Sequence, residues 1–175
     1  INLTAAYAPF VNGGKKIEPN LISRIQDRRG KTIYQIKNRE CIGCDKFIIE
    51  SEEFPSIKNT NEQVISKETA FQMTSILKGA VDRGTGKKLK TLNVPLAGKT
   101  GTTNDNYDAW FIGFSSNLVI GVYVGFDNPK TLGRYETGSK AALPIFKDFV
   151  ENGLFKDDFK DLSLIHISEP TRLQQ

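Results

Sequence analysis

Two β-rich runs, AWFIGF at 109–114 and LVIGVYVGF at 118–126, are joined by nothing longer than Ser115-Ser116-Asn117. So short a connection makes the two strands antiparallel neighbours. That hairpin frames the rest of the chain. Just before it, TLNVPLAGKTGTT reads as an extended segment. After it, SKAALPIFKDFVENGLF sets Ala142, Ile145, Phe146 and Phe149 on one face of an amphipathic helix.

Upstream, residues 66–81 return to the helical period, with Met73, Ile76, Leu77 and Ala80 on one side. Ser66 suits the N-cap of that helix and Gly84 lies just past its end. LTAAYAPFVNGG spaces Leu3, Ala6, Tyr7 and Phe10 as a helix that stops at Gly13-Gly14. Around Arg29-Gly30 a second hairpin is expected, with residues 21–26 outward and 32–36 returning. Residues 38–62 lack sustained periodicity and read as a loop or insertion. The expected class is α+β, an antiparallel β-sheet flanked by helices, with no internal repeat.

A chain of 175 residues, 38% hydrophobic and 25% charged, is one soluble globular domain or a piece of one. Ile1 in place of Met, without a signal-peptide pattern, reads as an internal start and hence as a fragment. No apolar run approaches the roughly 20 residues of a membrane-spanning helix. The net charge of +4 is mild, and its densest run is Lys87, Lys88 and Lys90 beside Gly84 and Gly86. That pattern describes a solvated basic loop, not a nucleic-acid footprint. Cys41 and Cys44 are half of a zinc set at best, because the only histidine, His166, lies far away. No metal is assigned. The pair reads as loop thiols or a small local disulfide.

Gly98-Lys99-Thr100-Gly101 admits two incompatible readings. As the end of a phosphate loop, G-x-x-x-x-G-K, it would need a glycine where Asn93 stands, and Pro95 interrupts the loop. The lysine should also open a helix, whereas strand material follows. The alternative is a Lys-Thr-Gly motif on an edge strand facing a cleft. An edge strand binds peptides through its unpaired backbone groups. Gly101 would let a substrate backbone approach closely. Lys99 adds fixed charge, and the Thr100 and Thr102 hydroxyls suit a carboxylate. The Thr102 N–H is suited to one half of an oxyanion hole.

The stretch LAGKTGTTNDNYDAWFIGFSSNLVIGVYVGFDNPKTLG closely resembles the C-terminal part of the transpeptidase domain of class A, bifunctional penicillin-binding proteins. AAYAPFVNGG, FQMTSILKGAVDRGTG and GSKAALPIFKDFV resemble the same family in the same order. The resemblance covers roughly residues 1–155, and residues 1–160 are taken as one partial penicillin-binding, serine D,D-transpeptidase-like domain. It implies an enzyme that acylates a serine with the D-Ala-D-Ala end of a peptidoglycan stem peptide, releases D-Ala and transfers the acyl group to a neighbouring amine. No cofactor is implied. β-Lactams would trap the acyl-enzyme. Lys99, Thr100, Gly101 and Thr102 inherit substrate binding, with Lys99 and Thr102 also catalytic. The parent would carry an N-terminal membrane anchor and work in the periplasm, where a Cys41–Cys44 bridge is permitted.

The family also needs Ser-x-x-Lys and Ser-x-Asn motifs upstream. Ser75-Ile76-Leu77-Lys78 has the first spacing, but it falls mid-helix, too near Lys99, in a segment that resembles another part of the family. Ser115-Ser116-Asn117 follows the lysine motif and occupies a turn. Neither is assigned a catalytic role, so the chain is expected to be inactive alone. Residues 162–175, His166 included, depart from the family and read as a foreign tail without function. Two alternatives stand beside this reading: a serine D,D-carboxypeptidase or β-lactamase-like hydrolase, and a non-catalytic peptide-binding module.

Overall fold

A computed structural model describes residues 1–36, 39–42, 56–154, 159 and 161–162. The N-terminal helix is split in two, α1 (Asn2–Ala6) and α2 (Ala8–Val11). Pro9 causes the break: lacking an N–H, it cannot bond back one turn, and Tyr7 and Phe10 instead donate to Thr4 O and Tyr7 O. Gly13 and Gly14 end the segment at φ +76° and +95°, as a helix stop requires.

β1 (Arg24–Gln26) and β2 (Thr32–Gln35) form the expected hairpin, shorter on its outgoing side. Asp27 Oδ1 accepts from the Arg29 and Lys31 N–H groups, closing the turn. Every residue of both strands is exposed, so the hairpin stands clear of the core. The segment expected to be a loop contains a second ladder, β3 (Arg39–Ile42) against β4 (Ser56–Asn59). Its strands are too short for an alternation visible in sequence. Cys41 is oxidised in a disulfide; Cys44 lies outside the described residues.

α3 (Lys67–Asp82) starts at Ser66, whose side chain accepts from the Thr69 N–H at 3.1 Å. Ser66→Ala should lower folding stability by about 1 kcal/mol, measured by denaturant unfolding. The buried stripe of α3 is Ala70, Thr74, Leu77 and Val81; of the expected Met73, Ile76, Leu77 and Ala80, only Leu77 belongs to it. Thr74 can turn inward because its hydroxyl donates to Phe10 O at 3.0 Å. Residues 87–92, expected as basic loop and extended chain, form a 3-10 helix. Its three-residue repeat buries Leu89 and Leu92 together and leaves the three lysines exposed.

β5 (Ala97–Thr102), β6 (Ala109–Phe114) and β7 (Val119–Val124) build one antiparallel sheet in that order. α4 (Ala142–Gly153) closes one face. There Phe111 meets Phe146 edge-on at 4.8 Å, within a cluster that includes Leu89, Leu92 and Leu143. α4 buries Ala142, Leu143, Phe146 and Val150, while the expected Ile145 and Phe149 face outward. On the opposite face, Ala97 and Phe114 pack with Val11 and Leu77. Leu162, the first residue of the expected foreign tail, is buried in that second cluster. His166 lies outside the described residues.

Candidate functional site

β5 has a hydrogen-bonded neighbour on one side only among the described residues. Its first half is closed: Ala97 and Gly98 are buried, with α3 packed against the strand. From Lys99 onward it opens, Lys99 and Thr102 being exposed and Thr100 and Gly101 half-buried.

The ladder fixes which backbone groups reach that opening. Thr103 N–H donates to Asp108 O at 3.1 Å, extending the β5–β6 register by one bonded pair. Bonded pairs recur at every second residue of an antiparallel ladder, so Gly101–Trp110, Lys99–Ile112 and Ala97–Phe114 are the others. Thr100 and Thr102 therefore aim their N–H and C=O groups away from β6. Lys99 agrees with that geometry: its Nζ curls along the strand and donates to Thr100 O at 2.9 Å.

Side chains alternate across the sheet. Lys99 and Gly101 lie on the Trp110 face, opposite the face covered by α4. A Cβ at Gly101 would meet Trp110 Cβ at 3.2 Å, so the glycine keeps this part of the face low. Trp110 rests against Tyr123 at 4.7 Å between ring centroids. The Tyr123 hydroxyl donates to Asp108 at 2.8 Å, and this bond, with its neighbouring negative charges, holds the phenol above its ordinary pKa. Thr100 and Thr102 lie on the α4 face, and each hydroxyl has a partner. Thr100 Oγ1 is 2.9 Å from Thr85 Oγ1, and Thr102 Oγ1 accepts from the Gly138 N–H at 3.0 Å.

The four motif residues are thus brought together on one open edge, as expected. The other two motif-like stretches lie elsewhere: Ser75 is exposed in the middle of α3, and 115–117 form the β6–β7 turn. Three residues of the site's surroundings escaped the sequence reading: Thr85, Asn106 and Gly138. Only Asn106 carried a usable signal, since asparagine tolerates the left-handed backbone it adopts (φ +55°). A cavity of about 590 Å³ between α1, α2 and the β6–β7 turn is separate from this edge. Its lining is mainly apolar, with Ile1, Val11, Ile17 and Val119 prominent and no acidic or basic side chain among the described residues. No cluster of three metal-ligating side chains occurs among the described residues, and no described helix is long and apolar enough to cross a membrane.

Comparison with known proteins gives one answer. Residues 1–151 match the family model of the penicillin binding protein transpeptidase domain. Penicillin-binding protein 1A of Rickettsia typhi is 48% identical over 160 residues, covering 89% of this chain and 20% of that protein. The protein of the same name from Pseudomonas aeruginosa is 34% identical, covering 97% of this chain and 24% of its own length. Among solved structures, penicillin-binding protein 1A from Haemophilus influenzae superimposes with a TM-score of 0.73 at 36% identity. That match covers 91% of this chain and 27% of the solved one. The chain therefore spans about a fifth to a quarter of the length of these two curated relatives.

Proposed function

Because this chain belongs to the penicillin-binding protein transpeptidase family, we propose that it forms the Lys-Thr-Gly wall of an active site that cross-links peptidoglycan. The observation that carries this reading is the outward-facing Thr102 N–H, set on an open strand edge beside the Lys99 ammonium.

Substrate would lie along that edge as an added strand. Lys99 and the Thr100 and Thr102 hydroxyls would hold the terminal carboxylate of a D-Ala-D-Ala stem. A serine outside this chain would attack the penultimate carbonyl. As the carbonyl oxygen gains charge, the Thr102 N–H would donate to it, supplying one half of the oxyanion hole. Collapse of the intermediate breaks the C–N bond and releases D-Ala, which carries away a proton. An amine from a neighbouring stem then attacks the acyl-serine ester, forming the cross-link and regenerating the hydroxyl. A β-lactam would enter by the same carboxylate contacts and stall as the acyl-enzyme. This chemistry calls for no cofactor. Peptidoglycan lies outside the cytoplasm, so the domain would act on the periplasmic side of the inner membrane, its parent held there by an N-terminal anchor.

The nucleophile's absence from this chain has a direct test. Incubated with labelled penicillin, the 175-residue polypeptide should take up no label, while the complete protein should be labelled at a serine outside this segment. A covalent adduct on Ser75 would overturn the assignment.

A further inference from the structure

Asn106 makes an unusual set of contacts for a residue in a strand-connecting turn. Its carbonyl accepts from the Leu132 N–H at 2.9 Å. Its Nδ2 donates to Gly133 O at 3.1 Å and to Arg134 O at 3.0 Å. One side chain and one carbonyl thus tie the β5–β6 turn to three consecutive backbone units far along the chain. The turn itself is braced, since Asn106 N–H donates to Thr103 O and Asp108 N–H donates to Thr103 Oγ1.

From that anchor, residues 132–138 run back to the end of β5. Gly138 is buried there, and a Cβ on it would lie 2.3 Å from Trp110 O and 2.5 Å from Gly101 O. Those are backbone atoms of the ladder and cannot give way, so only glycine lets the segment sit so low. Its N–H meets Thr102 Oγ1. The segment is then passed to α4 through Leu143 N–H on Gly138 O at 2.9 Å.

A hydroxyl has one proton and two lone pairs. Gly138 N–H occupies one lone pair of Thr102 from the α4 side, which leaves the hydroxyl proton for another acceptor. We infer that residues 132–138 form a strap, pinned by Asn106 and seated through Gly138, that aims the Thr102 hydroxyl proton at a substrate carboxylate. Asn106 and Gly138 are positioning residues acting through Thr102. The inference rests on the reading of this edge as the carboxylate-binding wall.

The test uses the complete protein and a matched pair of ligands, a penicillin and its methyl ester. Asn106→Gly keeps the left-handed backbone but removes both side-chain bonds. It should slow acylation by the free-acid penicillin about tenfold, the worth of one hydrogen bond to a charged group, and leave the ester's rate nearly unchanged. In a Thr102→Val background the same change should add nothing further. Equal slowing with both ligands, additivity with Thr102→Val, or no slowing at all would overturn the inference. Amide exchange gives an arm independent of penicillin: the Gly138 N–H should be protected in the wild type and released by Thr102→Val. If the wild type takes up no penicillin, the active-site reading fails; if it does while Gly138 exchanges freely, the strap fails.

Discussion

Lys99→Ala in the complete protein should lower transpeptidation and β-lactam acylation together, by about a hundredfold or more, with little change in melting temperature. The size follows from the proposed role, in which the variant would lose a fixed charge facing the negative charge that develops on the substrate. The spared stability follows from where the side chain sits. Lys99 is exposed and, among the described residues, its ammonium bonds along its own strand, to Thr100 O, so folding draws little on it. Lys99→Arg should recover only part of the loss, because a planar guanidinium cannot place its charge where a compact ammonium does. Acylation and turnover assays alongside a thermal melt separate the outcomes. Normal acylation and cross-linking in the alanine variant would favour a peptide-binding module over an enzyme wall.

Phe146→Ala should be the most damaging single change to stability, costing about 3–5 kcal/mol and lowering the melting point by on the order of 10 °C. The ring is fully buried, meets Phe111 edge-on at 4.8 Å, and fills the space above Gly113. A Cβ on Gly113 would lie 2.5 Å from the Phe146 ring, so the glycine and the phenylalanine are two halves of one fit. Truncating the ring empties the α4–sheet interface next to the strand that pairs with β5. Gly113→Ala in the truncated background should then be partly relieved relative to the wild type, since one of the two rings it would strike is gone and only Phe111, at 2.7 Å, has still to shift. A loss below about 1 kcal/mol for Phe146→Ala would show that α4 repacks and that this contact does not hold the sheet.

The parts of this fold legible in sequence were those fixed by neighbours in the chain. A three-residue turn between alternating strands forces the β6–β7 hairpin, and it lies where expected. Lys99 to Thr102 form a strand because the ladder partner follows within a few residues. The helices were located but their faces were misjudged. Both α3 and α4 carry apolar residues around much of their circumference, and only the partner surface decides which stripe turns inward. Ile76 on α3 and Ile145 on α4 are more than half exposed for that reason, while polar Thr74 is buried. Thr85 and Gly138 were invisible for a related cause. Each acquires its role by meeting β5 across 15 and 36 residues of chain, and nothing local in either segment marks the meeting. Asn106 reaches 28 residues to Arg134 in the same way.

The open side of β5 is also where two such molecules could zip together. Any strand that can complete the ladder competes for the same outward-facing donors and acceptors, whether it is a cell-wall stem or a second copy of this polypeptide. Lys99 biases that competition, because a cation at the seam repels its own kind and welcomes an anionic chain end. On the proposed reading, one side chain would both guard solubility and select the guest.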